Sequence, residues 1–258
     1  MSLHGRVAVV TGAGRGIGEA VVRALAAEGV AVGLLARTAG EIEEVAGEVR
    51  AGGGRATAVV CDVTEPAAVV DARDAVASAL GPADILVNNA GASSSAPLAR
   101  TALDEWRRLM DVNATGTFLC TKVFLPGMLE RGWGRIVNVA SVAGLTAGKY
   151  VAAYAASKHA QVGLTRAVAA EVADRGVTVN AVCPGYVDTP MTRASVARIR
   201  ERTGRTDEEA LAALKAQNPQ GRLIDPGEVA HAVLALCAED ARGINGQTLV
   251  IDGGHLLA

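Results

Sequence analysis

Short runs of Val, Ile, Leu and Ala alternate along the chain with longer segments whose apolar positions recur at helical spacing. The runs Arg6–Val10, Val30–Ala36, Ala56–Cys61, Ile85–Asn88, Arg135–Ala140, Val177–Cys183 and Thr248–Ile251 predict strands. Between them, Gly16–Glu28, Glu41–Ala51, Pro66–Leu80, Tyr154–Asp174 and Pro226–Cys237 predict helices. A long helix is expected from near Asp104 towards Leu129, with Pro126 interrupting its end. Strands that are apolar on consecutive positions, rather than alternating, are buried on both faces, and helices between them supply both covers. The expectation is one α/β domain over residues 1–258, a doubly wound parallel sheet of about seven strands, with its site at the strands' carboxyl ends.

Composition leaves that picture intact. Half the residues are hydrophobic, a fifth are charged, and two Trp, three Tyr and two Phe are the only aromatics. A chain this rich in Ala, Val and Gly suits layered α/β packing better than a β-sandwich. The net charge of −2 and the absence of a basic stretch give no footprint for nucleic acid. Cys61, Cys120, Cys183 and Cys237 stand far apart, so neither a metal site nor a disulfide framework is indicated. The start, Met1 to Arg6, lacks the apolar run of a signal peptide, and no apolar stretch approaches the roughly 18 residues of a membrane span. A cytoplasmic protein is expected.

Thr11-Gly12-Ala13-Gly14-Arg15-Gly16-Ile17-Gly18 joins the first predicted strand to the first helix. Glycines let backbone N–H groups approach a pyrophosphate, and the helix N-terminus favours that anion. The spacing departs from strict Gly-x-Gly-x-x-Gly, yet its place suits a Rossmann-type dinucleotide site. The second strand ends in Leu35-Ala36-Arg37-Thr38, without the carboxylate that meets the ribose hydroxyl in NAD sites. Arg37, with Arg15 beside it, suits a 2′-phosphate, so NADP(H) is preferred and NAD(H) stays open. Two solvated surface arginines are the alternative.

Tyr154 and Lys158 stand four apart on one predicted helix face. An ammonium there is expected to lower the phenol's pKa towards general acid/base use. Ser141 follows an apolar strand, where its hydroxyl could hold a substrate carbonyl or simply cap a turn. On these elements the chain resembles the short-chain dehydrogenase/reductase superfamily over essentially its whole length. Thr11-Gly12 to Gly18 resembles that family's cofactor loop. Asp62-Val63 resembles its adenine contact, and Asn88-Asn89-Ala90-Gly91 its sheet-supporting, cofactor-lining motif. Asn113 resembles the helix Asn of its proton relay. Ser141, Tyr154 and Lys158 resemble its catalytic set. Pro184-Gly185, with Val187 and Thr189, resembles its nicotinamide loop.

Within the superfamily the stretches Gly127–Gly132, Ala156–Ala160 and Asn180–Met191 are most similar to 3-oxoacyl-(acyl carrier protein) reductases and ketoreductases of aromatic polyketide pathways. The resemblance implies NADPH-dependent reduction of a ketone, either a 3-oxoacyl thioester or a polyketide-like one. Oxidation of a secondary alcohol with NAD(P) is the rival enzyme reading. A dinucleotide-sensing protein without turnover is the rival of another class, and a pure binder would not need Ser141, Tyr154 and Lys158 together. The resemblance also implies a homo-oligomer, dimer or tetramer, and an acyl carrier protein as a candidate partner. Residues 191–220 read as a helical insert over the site, a lid that with Val142–Val151 would set the substrate. Its arginines, Arg193, Arg198, Arg200, Arg202 and Arg205, are expected on a solvated helix face, with a phosphopantetheine arm or acidic carrier as the alternative.

Overall fold

The computed structural model describes residues 3–257; Met1, Ser2 and Ala258 lie outside the described residues. Seven parallel strands form one sheet: Val7–Thr11 (β1), Ala31–Ala36 (β2), Ala56–Val60 (β3), Ile85–Asn88 (β4), Gly134–Val139 (β5), Val177–Pro184 (β6) and Thr248–Ile251 (β7). Their spatial order is β3-β2-β1-β4-β5-β6-β7. Chain order reverses between β1 and β4, which opens a crevice at their carboxyl ends.

The helices are Gly16–Ala27 (α1), Ala39–Ala51 (α2), Pro66–Leu80 (α3), Leu103–Met110 (α4), Gly116–Arg131 (α5), Ala152–Glu171 (α6), Pro190–Thr203 (α7), Asp207–Lys215 (α8) and Pro226–Cys237 (α9). The strand sequences explain the two covers. Ala8 and Val10 of β1 pack with Val21, Leu25 and Val229 from α1 and α9. Val7 and Val9, pointing the other way, pack with Val76, Phe124 and Val168 from α3, α5 and α6. Both faces are buried, so every position of β1 is apolar or a satisfied Thr.

The expected single helix over Asp104–Leu129 is two helices joined by a π turn at Asp111–Thr115. Pro126 does not interrupt the end: α5 runs past it to Arg131 and stops where Gly132 adopts φ 65°. A left-handed residue terminates a helix, whereas one missing N–H in a packed helix removes a single bond. The π turn carries Asn113, fully buried, and shifts the phase of the helix at that residue. Residues 191–220 fold as α7 and α8 around Gly204 at φ 71°, with a small apolar cluster of their own from Val196, Ala210 and Leu214.

Candidate active site

Three loops converge at the carboxyl edge of β1, β4 and β6. Gly12 (φ 62°) ends β1, and a Cβ on it would lie 2.9 Å from Ala90 Cα. A Cβ on Gly18 would lie 2.2 Å from the Gly12 carbonyl oxygen, so only hydrogen fits. Gly16 (φ 58°) lies against Thr189, a Cβ there coming within 3.1 Å of its methyl group. The Asn89 side chain donates to the carbonyls of Thr11 and Gly12 at 2.9 and 3.0 Å. Thr11 Oγ1 in turn accepts from the backbone of Asn89 and Ala90. Ile17 packs on the core below. Val63, buried, packs against Gly116 where a Cβ would collide.

No side chain caps the N-terminus of α1. Its first-turn N–H groups are donors beside a glycine loop too tight for side chains, which fits a dinucleotide pyrophosphate. The two arginines sit at the same edge. Arg15 pairs with Glu41 at 3.2 Å and Arg37 with Asp62 at 3.9 Å, both guanidinium groups largely exposed. Such exposed pairs are weak and exchangeable for a phosphate. Asp62 also accepts from the backbone N–H and hydroxyl of Thr64. Those bonds, chiefly the backbone one, hold its carboxyl below the usual value, with Arg37 adding to the effect.

Ser141 caps a short turn after β5 by accepting from Ala143 N at 3.1 Å. Ser141 lines the same cavity as Tyr154, and its side chain favours the ionised form of that phenol. Lys158 is buried and donates to the Val139 carbonyl and to Gln161 Oε1, both at 2.9 Å. Its ammonium lies 6.0 Å from the Tyr154 ring centre. The expected lowering of the phenol does not appear. Burial pushes the Tyr154 pKa up, opposed by the nearby Ser141 side chain, while burial pushes Lys158 down to about 8. Desolvation outweighs an ammonium turned towards a carbonyl and an amide.

Asn113 Oδ1 accepts from Ala92 N at 2.8 Å, and its Nδ2 donates to Ala92 O and Ser157 Oγ, both at 2.9 Å. Its side chain therefore ties the loop after β4 to α6, and its carbonyl accepts from Thr117 Oγ1 at 2.8 Å. Gly91 packs in between, where a Cβ would come within 3.2 Å of Asn113 Oδ1. Gly185 at the end of β6 donates to the Ile251 carbonyl; Val187 pairs with Ile224, and Thr189 caps α7. Pro184 is the last residue of β6.

Several contributors were silent in the sequence. Gln161 holds Lys158 and donates to Thr117 Oγ1 at 2.9 Å. Asn138 accepts from Asn88 and donates to Thr165, each at 2.8 Å. A polar side chain in a helix or strand names no partner 20 to 50 residues away.

Ser141 and Tyr154 open onto a cavity of about 250 Å³. Val142–Val151 and α7–α8 both line it, and so do Ser93–Ser95, Tyr186, Asp252 and His255, which pattern reasoning missed. The arginines of the insert are not all on a solvated face: Arg198 lines the cavity and Arg202 bonds the Ser95 carbonyl. Arg193 and Arg200 do face outward, pairing with Asp188 and Asp207. Two adjacent hydroxyls at a cavity wall can both donate to a carbonyl oxygen, with a cation one helical turn behind.

The short chain dehydrogenase family model matches residues 6–200, and the chain belongs to that family of oxidoreductases. A 3-oxoacyl-[acyl-carrier-protein] reductase of Vibrio cholerae is 40% identical over 254 residues, 98% of each chain. A crystal structure of a single-residue variant of actinorhodin polyketide ketoreductase with NADPH superposes with a TM-score of 0.94 at 40% identity, covering 97% of both chains. A putative NAD(P)-dependent gluconate 5-dehydrogenase of Beutenbergia cavernae, with bound NADP at low occupancy, gives 0.88 at 43% identity, covering 100% of this chain and 99% of that one. Among the described residues no helix is long and apolar enough to cross a membrane.

Proposed function

We propose that the protein reduces a ketone to a secondary alcohol with NADPH, Tyr154 giving the proton. Ser141 and Tyr154 on the wall of one cavity, with Lys158 buried a helical turn further on, carry this reading. Gly12, Arg15, Gly16, Ile17 and Gly18 hold the pyrophosphate and 2′-phosphate end together with Arg37. Asp62 and Val63 meet the adenine, Asn89, Ala90 and Gly91 line the middle, and Pro184, Gly185, Val187 and Thr189 hold the nicotinamide. The cofactor supplies the hydride when bound.

Ser141 and Tyr154 orient the ketone oxygen, and the Tyr154 hydroxyl donates its proton as alkoxide charge develops. Lys158 offsets the phenolate charge that this leaves. Its carbonyl and amide partners keep it in reach of the cofactor ribose. Asn113 holds the loop and α6 in register at the inner end of the proton path. Its fixed backbone supports a relay through solvent.

The names of the relatives support a 3-oxoacyl thioester or polyketide-like ketone as the first class to test, with an acyl carrier protein as a candidate partner. Residues 191–220 act as a lid, a role supported by their own small core over the cavity. A homo-oligomer, dimer or tetramer, is supported by exposed Leu103, Trp106 and Phe118 on α4–α5 and by Leu249 and Val250 on β7. A cytoplasmic location is supported by four free, buried cysteines.

The deciding experiment is steady-state kinetics on acetoacetyl-CoA, an acyl-carrier thioester and cyclic ketones, with NADPH and NADH, in wild type and Tyr154→Phe. NADPH-preferring turnover that disappears in the variant, with NADPH still bound, supports the reading. Near-normal turnover by the variant would remove Tyr154 from the chemistry, and a preference for NADH would overturn the reading of Arg15 and Arg37.

A further inference from the structure

The cavity contains a cation that the proposed reduction does not use. Arg198, half-buried on α7, lines the same cavity as Ser141 and Tyr154. Its Nη2 donates to Ser195 Oγ at 2.8 Å and reaches Ser93 Oγ at 3.4 Å. Its Nε is buried and has no hydrogen-bond partner. Among the described residues no carboxylate pairs with it within 4 Å. Glu105 feels its charge, but both Glu105 oxygens accept from Arg108 at 2.7 Å.

The remaining groups of the lining leave that charge uncompensated. Asp252 is the one carboxylate there, and it is turned to its own loop: Oδ1 accepts from Gly254 N at 2.8 Å and Oδ2 from Leu256 N at 2.9 Å. Ser93 and Ser195 put hydroxyls beside the guanidinium, whereas Val142, Ala143 and Val151, in the same lining as Ser141 and Tyr154, are apolar. One end of the space is therefore built for a carbonyl and apolar carbons, the other for an oxyanion. A guanidinium with no carboxylate partner matches an oxyanion in charge, and its planar terminal N–H groups suit a carboxylate.

We infer that Arg198 binds a carboxylate of the substrate, so that the ketone is a small oxo acid rather than a neutral carbonyl compound. This rests on the ketone-reducing reading above and narrows its substrate. Arg198 lines the same cavity of about 250 Å³ as Ser141 and Tyr154, so carbonyl and anion fit within one compact molecule. A functional Arg on the lid also couples anion binding to the seating of α7, since the same guanidinium bonds Ser93 across the cavity.

The test compares 2-, 3- and 4-oxo acids of four to six carbons with their methyl esters, which keep the skeleton and remove the charge. At least one acid should exceed its ester in kcat/KM by tenfold or more. In Arg198→Leu that ratio should collapse towards one, and Arg198→Lys should keep part of it. A structural role would lower acid and ester alike and leave the ratio unchanged, which would overturn the inference, as would a panel with no preference for any acid. Pantetheine 4′-phosphate as a competitor separates the two anion sources; inhibition by it that depends on Arg198 and exceeds that of the acids would put a phosphate there instead. Calorimetric titration of the acids into NADP⁺-loaded protein reads the contact without turnover. Binding lost in Arg198→Leu supports the inference, even if the reductase reading fails; equal binding in both sinks it.

Discussion

The floor of the site and its cover are built by different means. The floor is a chain of buried side-chain hydrogen bonds from β4 and β5 into α5 and α6, running from Asn88 through Asn138 and Thr165, with Gln161, Lys158 and Thr117 beside it. The cover, α7 and α8, has a small apolar cluster of Val196, Ala210 and Leu214 and is joined to the loop 93–95 by Arg198 and Arg202. Buried polar chains fix geometry because each member that moves strands another in a low dielectric. A thin apolar cluster with exposed ion pairs opens at much lower cost. Chemistry that must hold a hydroxyl and an ammonium in place belongs on the first kind of support, and substrate entry on the second.

The largest expected effect breaks the floor at its reacting end. Tyr154→Phe should lower kcat with NADPH by roughly 10³-fold, within the range for loss of a general acid, while NADPH affinity by fluorescence titration stays within a few-fold. Breaking the support instead should act on the fold. Asn138→Leu should cost about 2–3 kcal/mol in urea unfolding, because Asn88 and Thr165 lose buried partners. Gln161→Leu, which strips Lys158 of one acceptor, should shift the pH profile of kcat as well as lower it; a profile that keeps its shape would reduce Gln161 to packing.

Alkaline titration sharpens the same contrast. Lys158 has its folded pKa pushed from 10.5 down to about 8, so the unfolded chain binds more protons between those values. Stability should therefore rise with pH across that window, by about 3 kcal/mol, in the difference between wild type and Lys158→Met. A flat difference curve would mean that the ammonium is not desolvated. At the opposite edge of the sheet, Arg37→Ala should raise KM for NADPH about 10- to 100-fold and leave KM for NADH nearly unchanged. The smallest global effect belongs to the cover. Leu214→Ala should lower global stability by about 1 kcal/mol at most, yet change KM for the ketone, because α8 opens ahead of the rest; a loss as large as that of Asn138→Leu would remove the distinction.

Much of this was legible beforehand. Pro66–Leu80, Ile85–Asn88, Pro226–Cys237 and Thr248–Ile251 match the expected bounds residue for residue, since Pro starts, Gly stops and consecutive apolar runs are local signals. Gly12, Ser141, Tyr154 and Lys158 were readable because a strand end and a helical turn fix where they stand. The π turn at Asn113, the partners of Lys158 and the serines of the loop 93–95 were not. Each depends on which helix lies across from which strand.

The sequence by itself thus determined the parallel α/β sheet, the glycine turn and the spacing of Tyr154 and Lys158, all of which follow from backbone geometry within one or two elements. Tertiary structure alone decided the direction of the pKa shifts and the cavity. Burial overrode the local attraction expected between Lys158 and Tyr154, and the fold turned Arg198 inward while Arg193 and Arg200 stayed in solvent. Desolvation and cavity shape arise from distant parts of the chain closing on one point, and no local pattern encodes them.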